Sequence, residues 1–387
     1  MTFSTPENQV TVHGTKLLVK SAFSLVLCIS TAVCAEAQNA QPNSTDQSWT
    51  STTQTSVDHT SPVRTSESHV ESGNRTVDKR RVEVLGPEGH FQPDSDTEKE
   101  TVRVNETTMR TVVRTYTWDA NGQRRLAKVT EEEARTSASG DVQVVSTTSS
   151  SDLNGNLQVA QREVADTKKT SPDAQETKTT VYLADGNGGF TTSRQTQELQ
   201  KRSADQKVEL KKTTLLPDGN GNWEVGEVTK KSIKEDGKKR ITEEQVSRPD
   251  SEGRLSQFSR TVGEETETST GEKSNTVYTY STVVPGVAGD GSVHLNQRVT
   301  TVEKKDSGGK ITEQRVEQPN PGDPHAGLQV SAKTKYTVLY GVSGTQQTKT
   351  VQARDANGTF NVISVETRKS DQVPAAREQT APSDKPQ

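Results

Sequence analysis

A glycine recurs along this chain with a period near 33 residues, and that period constrains the fold more tightly than anything else in the sequence. It stands at Gly89, Gly122, Gly155, Gly188, Gly221, Gly253, Gly291, Gly327 and Gly358, at intervals of 33, 33, 33, 33, 32, 38, 36 and 31. Three residues ahead of it stands an aspartate in six of the nine units: Asp119, Asp152, Asp185, Asp218, Asp250 and Asp355. Two residues after it comes Phe91, Leu157, Phe190, Trp223, Leu255, Val293 or Phe360. A fixed period of this length marks a repeat architecture in which each unit is one supersecondary element.

Asp-x-x-Gly encodes a turn. The aspartate at the first position of a type I turn accepts hydrogen bonds from nearby backbone N–H groups, and the glycine at the fourth takes the left-handed conformation. Together they give a three-residue β-hairpin with a bulge at glycine. A second polar break falls half a period later, as at Ser139-Gly140, Pro172-Asp173, Asp236-Gly237 and Ser307-Gly308-Gly309. Each unit therefore reads as two strands and two turns, with strands of about twelve residues or about 40 Å.

Only 27% of the chain is hydrophobic and 4% aromatic. That is too little for a thick-cored globular enzyme or a helical membrane protein. The strands are rich in Thr, Lys and Glu, as in Glu176-Thr177-Lys178-Thr179-Thr180-Val181. The large apolar residues gather beside the Asp-x-x-Gly turns: Tyr116, Trp118, Leu183, Phe190, Leu215, Trp223 and Val225. They form one apolar stripe along that edge of the sheet. Read by strict alternation, the strand from Trp223 puts Val225, Glu227, Thr229, Lys231 and Ile233 on the same face. A charge on a lipid face near the midplane costs about 2–4 kcal/mol, which excludes an outer-membrane barrel. The period is also too short for a propeller blade. The expected fold is all-β: an antiparallel meander of about nine two-stranded units over residues 81–369, elongated or curled, stabilised by unit and neighbour terms.

The ends read differently. Lys16 and Lys20 precede an apolar run from Ala22 to Val33 and then Ala35-Glu36-Ala37. This is the pattern of a secretory signal peptide over residues 1–37, with cleavage expected between Ala37 and Gln38. Both cysteines, Cys28 and Cys34, lie in it, so no disulfide is expected afterwards. Residues 38–80 are Ser/Thr/Gln/Asn-rich and read as a disordered spacer; residues 370–387 read as a disordered tail. The formal net charge of −4 gives no reason to expect nucleic acid or an anionic surface as partner.

At Tyr116-Thr117-Trp118-Asp119-Ala120-Asn121-Gly122 the chain resembles the YD repeats of Rhs-type secreted proteins, and Asp250-Ser251-Glu252-Gly253-Arg254-Leu255 is similar to the second half of that motif. The resemblance touches about seven residues per unit across most of residues 81–370. It implies hairpins joined into a continuous β-sheet shell. The units here are longer than that family's, and most lack its paired aromatics.

No catalytic motif is present: there is no Gly-x-Ser-x-Gly elbow, phosphate-binding loop or zinc-protease helix. The loops Asp185-Gly186-Asn187-Gly188-Gly189 and Asp218-Gly219-Asn220-Gly221-Asn222 look faintly like calcium loops, but Phe190 and Trp223 stand where that pattern wants glycine. Beyond the expected leader, the histidines His59, His69, His90, His294 and His325 lie apart from one another. No metal or cofactor is expected. Phe91, Phe190, Trp223 and Phe360 share one register, which leaves two readings open: a core stripe, or a row of stacking platforms for ligands. The functional expectation is an exported, non-enzymatic, structural or adhesive β-scaffold of the cell envelope or extracellular space. The alternative is a carbohydrate- or protein-binding module using those aromatics. The expected partner is an envelope protein or polysaccharide, and no membrane span is expected in the mature chain.

Overall fold

The computed structural model describes residues 47–57, 61–119, 121–152, 154–203, 205, 207–282, 292–305, 308–320, 323–341, 344–355 and 357–370. The expected signal peptide, its cleavage point at Ala37 and Gln38, and the tail beyond Ser370 lie outside the described residues.

Among the described residues every regular element is a strand. The first five are β1 (Gln47–Val57), β2 (Val63–Ser72), β3 (Arg75–Leu85), β4 (Phe91–Arg103) and β5 (Thr108–Trp118). Next come β6 (Arg124–Thr136), β7 (Val142–Ser151), β8 (Leu157–Ser171), β9 (Ala174–Ala184) and β10 (Phe190–Arg202). They are followed by β11 (Val208–Pro217), β12 (Trp223–Asp236), β13 (Lys239–Pro249), β14 (Leu255–Glu267) and β15 (Lys273–Ser281). The last are β16 (His294–Lys305), β17 (Gly309–Asn320), β18 (Asp323–Gly341), β19 (Gly344–Arg354) and β20 (Phe360–Ser370). Threonine and valine, β-branched and stiff at χ1, populate most of them and suit the pleat.

Each strand pairs antiparallel with the next, as the meander expectation required. The sheet does not stay open, however. β1 pairs with β2 on one side and with β20 on the other, Ser51 facing Ser370 and Val57 facing Ser364, so twenty strands close into a ring. Strands about 4.8 Å apart and tilted about 40° give a ring about 40 Å across between facing backbones. Of the two expected forms, elongated or curled, the pairings give a sheet curled to closure. Closure uses strands from the stretch expected to be a spacer: β1, β2 and the first half of β3 lie within residues 38–80. That stretch is predominantly polar, and its place in the ring rests on backbone pairing rather than on an apolar face.

The hairpins follow the 33-residue period. Gly122, Gly155, Gly253 and Gly358 sit at φ between 73° and 86° and donate their N–H to the aspartate carbonyl three residues back, at 2.9–3.0 Å. A second periodic feature is absent from the sequence reading. Every even strand from β4 to β20 carries a β-bulge, at Asp94, Ala127, Ala160, Ser193, Gly226, Phe258, Asn296, Ser331 and Ile363. It falls five residues after the turn glycine in all units but the one at Gly327, where it falls four after. A bulge adds local twist and bends its strand. Nine of them along one sheet supply curvature of the kind that closes a barrel.

There is little core. Among the described residues the buried apolar side chains are Val112, Ala165, Val181, Val228 and Val338, and none is below 2% exposure. The turn-side stripe is not a core: Leu157, Leu183, Phe190, Leu216 and Leu255 on it are exposed. Among the described residues no packed side-chain core fills the ring.

Candidate functional site

The register divides the wall into two faces. On one, Trp118, Tyr116, Arg114 and Val112 of β5 lie beside Asp96, Glu98 and Glu100 of β4 and Arg81, Lys79 and Val77 of β3. On the other, Thr101, Thr111, Glu132, Ser146, Glu163, Val181 and Arg194 follow one another as direct cross-strand partners from β4 to β10. The Glu163 carboxylate feels Arg194 two strands away and Lys212 three strands away. Side chains converge inside a ring and diverge outside it, so this second face lines the lumen.

The lumen wall is built from hydroxyls and charges. Thr167 and Thr177, and Thr130 and Thr148, meet through their hydroxyls at 2.9 and 3.1 Å across strand pairs. Among them stand charged groups, many already paired: His69 with Asp78 at 2.6 Å, Lys310 with Glu303 at 2.5 Å, and Arg248 with Glu227 at 2.9 Å. Arg368 reaches Glu67 at 2.9 Å across the closing strand β1, an ion pair that spans the seam. The isolated histidines of the sequence gave no hint of the His69–Asp78 pair, which needs the β2–β3 register to form.

The outer face differs. Next to the Asp-x-x-Gly rim it carries an aromatic belt, and cations lie over its rings: Arg124 is 3.5 Å from the Tyr116 centroid, and Arg81 is 5.8 Å from that of Trp118. Arg81 and Arg124 both bind Asp96, at 2.9 and 3.1 Å, and Arg124 also binds Glu98 at 2.7 Å. Asp96, 6% exposed, is the one buried charged group among the described residues. Towards the opposite rim, arginine, lysine and carboxylate dominate. Given the cost of a charge in lipid, the belt is where an apolar phase would meet this wall.

Strict alternation misassigned β12. The bulge at Gly226 places Val228 on the outer face with Trp223 and Val225, and turns Glu227, Thr229, Lys231 and Ile233 into the lumen. The charges that argued against a barrel therefore face water, and that exclusion falls for this strand.

The four candidate aromatics all lie on the outer face beside the Asp-x-x-Gly rim, but on β4, β10, β12 and β20, so the ring spreads them apart. Phe91 lies under Arg64 at 4.5 Å and Phe360 under Lys333 at 4.1 Å. Phe190 is 46% exposed, and Trp223 is half-buried opposite Pro217. The rim turns hold their own carboxylates: Asp185 Oδ1 accepts the N–H groups of Asn187 and Gly189, and Asp218 Oδ1 those of Asn220 and Asn222. Near the opposite rim, Arg135, Asp141, Asp166 and Lys168 line an open cleft of about 360 Å³.

No family model matches the chain, and no curated protein matches it. Solved structures do. OccK5 (OpdH) of Pseudomonas aeruginosa aligns at a TM-score of 0.44 and 10% identity, over 84% of this chain and 97% of its own. The siderophore receptor PirA of the same organism aligns at 0.37 and 9%, over 85% and 81%. The alcaligin outer membrane receptor FauA of Bordetella pertussis aligns at 0.33 and 8%, over 84% and 75%.

Closure corrects the functional expectations. The expectation was a structural or adhesive scaffold, or a binding module using turn-side aromatics, acting on an envelope protein or polysaccharide. Instead the sheet edges are consumed in a ring that encloses a lumen. The expectation of no membrane span also falls. Among the described residues no helix is long and apolar enough to cross a membrane, but a strand wall crosses without helices.

Proposed function

We propose that the mature chain works in the cell envelope as a hollow β-barrel that gives hydrophilic solutes a water-filled passage. The observation that carries this reading is the β1–β20 pairing, which turns twenty strands into a continuous wall around a lumen lined by hydroxyls and paired charges. Side chains of about 6–8 Å narrow a ring about 40 Å across to a bore of about 25 Å, wide enough for oligosaccharides and small peptides. Passage asks nothing catalytic of the wall, and the reading is non-enzymatic. The leader pattern at residues 1–37 supports an envelope address.

The test combines two measurements on the purified mature protein. Small-angle scattering should give the profile of a hollow cylinder. Vesicles containing the protein should swell in neutral sugars at rates that fall as the sugar grows. A hollow profile with vesicles that stay tight overturns the passage, and a filled profile overturns the lumen itself.

A further inference from the structure

Five Asn-Gly pairs occur in the chain, and all five fall in Asp-x-x-Gly turns: Asn121-Gly122, Asn154-Gly155, Asn187-Gly188, Asn220-Gly221 and Asn357-Gly358. The structure separates them into two kinds. Gly122, Gly155 and Gly358 donate their N–H to the carbonyls of Asp119, Asp152 and Asp355, at 2.9, 3.0 and 3.0 Å. Among the described residues no such bond holds Gly188 or Gly221. Their turns carry a second glycine, Gly186 or Gly219, at φ of 79° or 82°, ahead of the asparagine. With two left-handed residues the turn departs from the type I geometry that brings the fourth N–H onto the first carbonyl. All five asparagines are exposed, so the turn backbone is what separates them: Asn187 and Asn220 are each flanked by glycines with no Cβ to restrict them.

These features converge on a known reactivity of the amide side chain. The backbone nitrogen of the following residue attacks the asparagine Cγ, a C–N bond forms, and the side-chain nitrogen leaves as ammonia with the proton of the attacking N–H. Water then opens the resulting succinimide at one of its two carbonyls, restoring the N–H and leaving aspartate or isoaspartate. The first step needs a following residue without a Cβ, an N–H free to give up its proton, and a side chain free to swing onto it. A hydrogen bond from that N–H to a carbonyl holds the proton in place and fixes the nitrogen away from Cγ.

We propose that Asn187 and Asn220 are sites of spontaneous deamidation, while Asn121, Asn154 and Asn357 are protected by the hydrogen bond of the glycine that follows. The two sites lie on neighbouring hairpins, β9–β10 and β11–β12, so the modification is confined to one sector of the rim. Each event adds one negative charge beside Asp185 or Asp218. Isoaspartate also inserts a methylene into the backbone just ahead of Phe190 or Trp223. The sector alters with the age of the molecule, whatever passes through the lumen.

Peptide mapping of the intact protein, aged in mildly alkaline buffer made with heavy-oxygen water, tests this. Residues 187 and 220 should take up the label, with isoaspartate as one product, at least severalfold faster than residues 121, 154 and 357. In urea all five should react at similar rates. Equal rates in the folded protein, or the same order in urea as in buffer, would overturn the proposal. Gly186→Ala supplies a second check: it disfavours the left-handed conformation and should slow reaction at Asn187 while leaving Asn220 unchanged. A folded Gly186→Ala protein that reacts at Asn187 as fast as the parent would count against the turn as the cause.

Discussion

At the scale of single residues the rim is an array of carboxylates used as turn locks. Asp119, Asp152, Asp218, Asp250 and Asp355 each accept two backbone N–H groups from their own turn, and these donors hold every one of the five below the usual carboxylate range. A carboxyl whose folded value is depressed contributes stability above its unfolded value, here 3.8, and loses it as pH falls through the folded value. The urea midpoint should therefore stay flat from pH 7 towards 4 as far as these groups control it, and drop below that. Replacing the five with asparagine should flatten the acid limb, because asparagine keeps an acceptor oxygen but does not titrate. An acid limb of unchanged depth in that variant would move the acid sensitivity elsewhere. The same turns show what a residue pattern reveals. The aspartate and glycine declared the hairpins because each has a specific task there. The second glycine at Gly186 and Gly219 gave those loops only a faint likeness to calcium loops, although it changes the hydrogen bonding of the turn.

At the scale of elements the repeat is a hairpin plus a bulge, and only the hairpin was legible. The bulge residues are Asp94, Ala127, Ala160, Ser193, Gly226, Phe258, Asn296, Ser331 and Ile363, which share no chemistry. Their position is set by distance from the turn, so no residue preference betrays it. Missing the bulge shifts every face assignment below it by one, as happened with Glu227 and Lys231. The candidate aromatics fared better because Phe91, Phe190, Trp223 and Phe360 precede their bulges. Their common side and end were readable, whereas their separation around a ring was not. A deletion pair tests the bulge. Removing Gly226 keeps Val225 outward, Glu227 inward and Val228 outward, so it should cost no more than about 1 kcal/mol. Removing Thr229 reverses the rest of β12 and should cost about 2–3 kcal/mol or more. Equal losses at the two positions, measured by urea titration, would mean that the bulge does not set the faces.

At the scale of the whole molecule everything depends on the seam. The wall has no thick core to hold it in shape, so its integrity comes from each strand having two partners. β1 supplies both seam ladders, and Arg368 and Glu67 bridge across it. β2 and β20 run parallel to each other because both are antiparallel to β1. Deleting residues up to Val57 therefore leaves two edges that cannot form an antiparallel ladder directly, and the ring stays open. Unpaired N–H and C=O groups along β2 and β20 then template association. That variant should keep a β-rich circular dichroism spectrum but sediment as oligomers. Deleting Gly188 to Asn220 removes two strands from within the wall and keeps every direction. Eighteen strands can close, so this protein should remain monodisperse with a ring narrower by about a tenth. In the swelling assay its size limit for sugars should fall accordingly. The opposite outcome, a monodisperse protein without β1 and an aggregated one without the internal unit, would show that the pairing of β1 with β20 does not hold the barrel together.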